Sequence, residues 1–195
     1  MCDTLPVVQQ VVIIGPVGVG KSTIGASLAA LLDVPFVDLD EVASDYYTEV
    51  GQGIDQLIER AKAYGFVEAH RWWQPARVNA VRGVLRSSTS AVIAFGAGHS
   101  HFEDEQWCAE IAASLDDAFV VLLLPEHDVE ASVNTLRRRC IDERGEDQDW
   151  LFDEVDFIRD WVVSSQNHSL ADTVVYADGR PVGAIALDIA TRVQK

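Results

Sequence analysis

Gly15-Pro16-Val17-Gly18-Val19-Gly20-Lys21-Ser22 has the residue types that hold a polyphosphate, at the spacing G-x-x-x-x-G-K-[ST]. Glycines at 15 and 20 let the backbone curl until several N–H groups point inward, and a helix starting behind them adds its positive end. Gly15, Gly18, Val19, Gly20, Lys21, Ser22 and Thr23 are the expected nucleotide-binding residues. Lys21 would reach the β- and γ-phosphates and so act in catalysis, and the Ser22 hydroxyl would hold Mg²⁺. ATP with Mg²⁺ is the expected pair of cofactors, because the chain has no N-K-x-D sequence to read guanine.

A second chemical feature follows at Val37-Asp38-Leu39-Asp40. On an extended segment, residues two apart face the same side, about 6.5–7 Å apart along the chain. Carboxylates so placed suit a strand end that meets something positive. Asp38 could hold Mg²⁺ through water, and Asp40 could bind the acceptor and take a proton from its hydroxyl. A solvated loop with Asp40 capping the next helix is the other reading of these residues.

Arg137-Arg138-Arg139 with Arg144 is the dense basic cluster of a strongly acidic chain. An arginine there, taken as Arg138, could neutralise charge on a transferred phosphoryl group; a solvated helix end would also account for the cluster. Arg71, in His70-Arg71-Trp72-Trp73, suits a carboxylate or phosphate on an acceptor, or a structural stack on its aromatic neighbours. His99 and His101 flank Ser100 and read as loop histidines, with contact to an acceptor the alternative.

These residues need a scaffold. Val11–Ile14 is a β-branched apolar run ending at Gly15, and Lys21–Leu32 has helix composition. Strands are expected again at residues 34–37, 91–95, 119–124 and 173–176. Two or three helices are expected within 41–85, and further ones at 105–115, 129–139, 151–164 and 181–193. The alternation predicts a three-layer α/β/α domain around a five-stranded parallel sheet, with all 195 residues in one domain.

Charge narrows the partners. Fifteen basic against 31 acidic residues leave −16, which repels nucleic acid and acidic membranes but permits a small anion in a local basic pocket. Cys2, Cys108 and Cys140 have no metal-ligand spacing and read as free thiols of a cytoplasmic protein. A monomer or homodimer is expected.

The phosphate loop, the Asp-x-Asp sequence and a third strand ending at Gly96-Ala97-Gly98 come in the order found in shikimate kinases, and the chain resembles that family through most of its length. Leu170-Ala171-Asp172-Thr173-Val174-Val175 is similar to the family's run into its last strand. The resemblance implies a kinase fold, ATP and Mg²⁺, and a small mobile lid near residues 137–150. It further implies an acceptor region near 41–86, with Gly96, Ala97, Gly98 and Arg71 against a small hydroxylated metabolite. His70-Arg71 stands where the family has Phe-Arg, and Ala97 replaces the middle of three glycines. The segment between Asp40 and Arg71 is longer than usual. Val163 holds the place of an acceptor arginine, with Arg159 a turn earlier, and the family's Arg-Pro lid sequence is missing. All these departures fall on the acceptor side, so the expected acceptor is a hydroxylated metabolite other than shikimate. A nucleoside or nucleotide kinase and a regulatory nucleotide-binding module remain the alternatives.

Overall fold

The computed structural model describes residues 10–144, 149–177 and 179–194. The expectations for Cys2, for the polar stretch 145–148 and for the Arg144 side chain lie outside the described residues.

Along the chain run β1 (Val11–Ile14), α1 (Lys21–Leu32), β2 (Phe36–Asp38), α2 (Leu39–Val42), α3 (Ser44–Glu49), α4 (Ile54–Tyr64), α5 (Phe66–Trp72) and α6 (Gln74–Ser87). Then follow β3 (Val92–Ala94), a 3₁₀ turn (Ala97–His99), α7 (Glu105–Leu115), β4 (Phe119–Leu124) and α8 (Val129–Arg144). The chain closes with β5 (Leu151–Phe152), β6 (Val155–Asp156), α9 (Phe157–Val162), α10 (Ser165–Leu170), β7 (Thr173–Tyr176) and α11 (Val182–Val193).

Five strands pair in parallel in the order β2-β3-β1-β4-β7. β1 is fully buried, so its side chains alternate between two cores. Val12 and Ile14 join one with Val81, Phe95 and Ile111, while Val11 and Ile13 join the other with Leu28, Leu136 and Ile189. Helices thus cover both faces, giving the three-layer α/β/α arrangement that the sequence predicts. After β1 the chain visits β2 and β3 on one side, then β4 and β7 on the other. The C-terminal end of β1 is therefore the switch point where parallel sheets open a crevice for ligands.

Two expectations need correction. Between Glu41 and Leu85 the chain forms more than three helices, because Gly53 and Gly65 each begin a new one. Residues 151–164 are not one helix. Leu151–Phe152 pairs antiparallel with Val155–Asp156, and helix starts only at Phe157. The turn residues Asp153 and Glu154 both have positive φ, 49° and 67°, as the favoured two-residue hairpin turn requires. Asp156 then caps α9 by accepting from the Arg159 N–H at 3.1 Å. The hairpin is held by aromatic packing, with the Phe152 ring 4.3 Å from that of Phe66.

Candidate active site

The chain turns after β1 against the neighbouring strand. At Gly15, φ is +141° and a Cβ would overlap the Leu123 carbonyl oxygen, so no other residue fits. Gly20 starts α1 with no side-chain cap. Its first residues Gly20, Lys21, Ser22 and Thr23 instead line a cavity of about 210 Å³ with Gly18, Asp40 and Glu143. Uncapped N–H groups at such an end attract anions. The buried Lys21 ammonium donates to the carbonyls of Gly15 at 2.9 Å and Pro16 at 2.8 Å. Val19, by contrast, is buried in the core with Ile24 and Leu136.

The acidic pair does not share one face. Helix α2 begins directly after Asp38, which caps it by accepting from the Asp40 N–H at 3.0 Å. Asp40 is thereby carried one step into the helix and reaches the cavity, whereas Asp38 is not among the residues lining it. The extended geometry expected for Asp-x-Asp is corrected by this early helix start.

A second cavity, of about 270 Å³, adjoins the first. Asp40, Val17 and Ala97 line both. Its remaining wall holds Phe66, His70, Trp73, Trp150 and Trp161, with Arg77 at the back. Phe66, His70, Trp73 and Arg77 recur at i, i+4, i+7 and i+11, which is one face of a helix.

Gly96 and Gly98 leave room for two of these groups. A Cβ at Gly96 would overlap the Asp40 carboxylate, and one at Gly98 would come within 2.7 Å of Arg77 Nη1. Ala97 lies between them and lines both cavities.

Arg71 does not reach this cavity. It sits a third of a turn round α5, half-exposed, and its Nε donates to both Glu103 oxygens at 2.9 and 2.8 Å. It opens instead onto a neighbouring groove with Val67 and Gln74, which meets the cavity at His70 and Arg77. The buried arginine here is Arg77, 2% exposed, which sequence reasoning missed. Its Nη1 donates to the Gly98 and His101 carbonyls and its Nη2 to the His70 carbonyl. The helical stripe from Phe66 was the signal that could have found it. Burial lowers its guanidinium from the ordinary arginine value to about 10.

The arginine cluster is divided among three tasks. Arg137 donates to Asp156 at 2.6 Å and to the Asp149 carbonyl at 3.3 Å, fastening α8 to the hairpin. Arg139 donates to the Gly18 carbonyl at 3.2 Å and so touches the phosphate loop. Arg138 is exposed, on the side of α8 away from the buried Leu136 and Cys140. Of Arg138 and Arg139, it is Arg139 that the helical turn brings to the loop. At the other end, Val163 is half-exposed, and Arg159 is held by Glu130 with both contacts at 2.7 Å.

The oxygens near the loop fit Mg²⁺. Ser22 offers a hydroxyl in the first cavity, while Asp38, which does not line it, caps α2 and would reach the ion only through water. Among the described residues no three or more His, Cys, Asp or Glu gather as a metal cage. Mg²⁺ is ordinarily held by one or two protein oxygens plus phosphates and water.

Burial, then the Arg77 charge, lowers His70 from the usual histidine value to about 2 and His99 to about 3. Both stay neutral in the folded chain, whereas an unfolded histidine takes a proton near pH 6.5. Below that pH the unfolded state binds more protons, so stability falls with pH, by about 1.4 kcal/mol per pH unit for each histidine, until the folded-state values are reached. Replacing His99 with Gln should flatten the dependence of Tm on pH between about 6 and 4 relative to the parent chain. An unchanged slope would mean that folded His99 titrates normally.

A phosphate loop at a sheet switch point, beside an aromatic cavity with which it shares one carboxylate, marks the fold of P-loop kinases. Comparison with known proteins makes this particular. The sequence profile of the shikimate kinase family matches residues 17–174, and the chain belongs to that family. It is 33% identical over 132 residues to the shikimate kinase of Bradyrhizobium diazoefficiens, a match spanning 68% of this chain and 55% of that one. The fold is shared with the shikimate kinase of Acinetobacter baumannii in complex with shikimate, at a TM-score of 0.62 and 19% identity, over 96% of this chain and 93% of the other. It is also shared with the shikimate kinase of Aquifex aeolicus, at a TM-score of 0.60 and 18% identity, over 95% and 96% of the two chains.

Proposed function

We propose that the chain moves the γ-phosphoryl group of ATP to a hydroxyl of a small metabolite in the cytoplasm. One observation carries this reading: Asp40 borders both the phosphate-loop cavity and the aromatic cavity, so a carboxylate stands where the two reactants would meet. Lys21 and the loop N–H groups hold the phosphates. Ser22, and Asp38 through water, hold Mg²⁺, which when bound supplies charge neutralisation on the phosphates. Asp40 accepts the acceptor's hydroxyl proton, and Arg139 stabilises charge on the phosphoryl group when it turns from the Gly18 carbonyl.

The acceptor is a polyhydroxylated ring other than shikimate. Trp73, Trp150, Trp161 and Phe66 offer flat faces to C–H edges. A carboxylate needs a forked arginine. Arg71 and Arg159 are held by Glu103 and Glu130, and both terminal amino groups of Arg77 already serve backbone carbonyls. Missing that partner costs an acceptor carboxylate about 3 kcal/mol, roughly 100-fold in kcat/KM.

A coupled assay of ATP consumption against a panel of sugars, polyols, nucleosides and shikimate tests both parts. ATP turnover should rise with a polyhydroxylated ring, and shikimate should stay below about 10⁴ M⁻¹s⁻¹ in kcat/KM. Turnover that no acceptor raises would make the chain a nucleotide-binding module. Shikimate above that value would overturn the acceptor assignment.

A further inference from the structure

The mechanism above leaves His99 unused among the buried titratable groups. His99 is 3% exposed and closes the Gly-rich turn after β3. Its Nε2 lies 2.7 Å from the Tyr47 hydroxyl. Its Nδ1 is buried without a hydrogen-bond partner, and the Asp40 carboxylate is 3.7 Å away. Tyr47 is fixed in turn: it is 4% exposed, its ring packs 4.4 Å from that of Trp73, and the Trp73 indole N–H donates to the Gln52 carbonyl at 2.6 Å.

We infer that His99 is the positioning residue for Asp40, presenting an Nδ1–H to its carboxylate while the Tyr47 hydroxyl holds the ring in that tautomer. The inference rests on the reading of Asp40 as the group that takes the acceptor's proton.

The choice of tautomer follows from the two neighbours. With the proton on Nε2, the ring would donate to Tyr47 and turn a lone pair toward a carboxylate, which is repulsive. With the proton on Nδ1, the Tyr47 O–H donates to Nε2 and the Nδ1–H faces the carboxylate, so both contacts are attractive. A doubly protonated ring is disfavoured by burial and by the Arg77 and Lys21 charges, which outweigh the opposing pull of the Gly96 backbone carbonyl, itself a further acceptor for a ring N–H. A separation of 3.7 Å is longer than a hydrogen bond, and the exposed Asp40 side chain closes it with a shift of under about 1 Å. Contacts of this kind tighten when the reactants bind. Drawn toward His99 by one oxygen, the carboxylate keeps the other aimed at the junction of the two cavities.

Two substitutions separate positioning from packing. In His99→Asn the amide N–H stands where Nδ1–H does, whereas His99→Gln keeps a partner for Tyr47 and leaves nothing at Nδ1. kcat should fall by about 10²-fold in His99→Gln and by less than about 10-fold in His99→Asn, with KM for ATP unchanged in both. Equal kcat in the two variants would reduce His99 to a packing residue and overturn the proposal. A second measurement needs no turnover. Nitrogen-15 NMR of the histidine rings in the parent chain should find His99 neutral and protonated on Nδ1, with that signal moved by Asp40→Asn. Protonation on Nε2 would overturn the proposal whether or not any acceptor is phosphorylated. Lack of turnover with every acceptor, beside the expected NMR result, would instead count against the proposed function alone.

Discussion

Asp40→Asn will lower kcat by about 10²–10⁴-fold and leave ATP affinity within about threefold of the parent value, the range for removing a positioned general base. At 1.36 kcal/mol per decade that is about 2.7–5.4 kcal/mol of lost transition-state stabilisation. Asparagine keeps the shape of the side chain and an oxygen for the His99 N–H, so the turn at Gly96 is undisturbed. It cannot take a proton from a hydroxyl. Initial-rate kinetics with the best acceptor, alongside calorimetric ATP titration, will separate the outcomes. Collapse of ATP affinity with kcat retained would make Asp40 a metal or nucleotide ligand instead.

Lys21→Ala will lower kcat/KM for ATP by about 10³-fold or more. A charge-assisted hydrogen bond to phosphate contributes about 1.5–3 kcal/mol to binding, and stabilisation of developing charge adds about 10²–10³ in rate. The fold should survive, because the loop's course is set by Gly15 against Leu123 and by the core beneath it, not by the lysine. Lys21→Met, which keeps the alkyl stem, should lose the same activity with a smaller change in Tm. Parent-like ATP binding and phosphoryl transfer in either variant would remove Lys21 from the phosphate site.

What could be read from the sequence was local. A loop that curls round phosphate needs its glycines, lysine and hydroxyl contiguous, so the motif and the strand and helix around it were legible together. The parallel sheet was legible for the same reason: each buried strand is a short apolar run ending at a turn. The acceptor side is assembled across distance. Arg77 gains its place from a stripe that starts at Phe66, and choosing Arg71 depended on matching a dipeptide rather than on the helical period. Asp38 and Asp40 were assigned a shared face because the chain was taken to stay extended beyond the strand, whereas α2 begins at Leu39. His99 read as a loop histidine, since its partner Tyr47 is 52 residues earlier. The hairpin at 151–156 was read as helix because leucine, phenylalanine and glutamate suit a helix locally. Only the aromatic contacts of Phe152 and the positive φ of Asp153 and Glu154 decide otherwise.

The Arg137–Asp156 ion pair has a thermodynamic meaning beyond holding two elements together. Through Arg139, α8 bears on the phosphate loop, and the hairpin it grips follows directly on Trp150, a wall of the aromatic cavity. Ligands in the two cavities would thus bear on one connected set of elements, and their binding free energies are expected to be coupled. Whatever displacement of α8 a nucleotide favours is transmitted to Trp150, and linkage requires the acceptor to return the same factor to the nucleotide. Cutting that connection with Arg137→Gln would uncouple the two affinities while leaving each cavity's own residues in place.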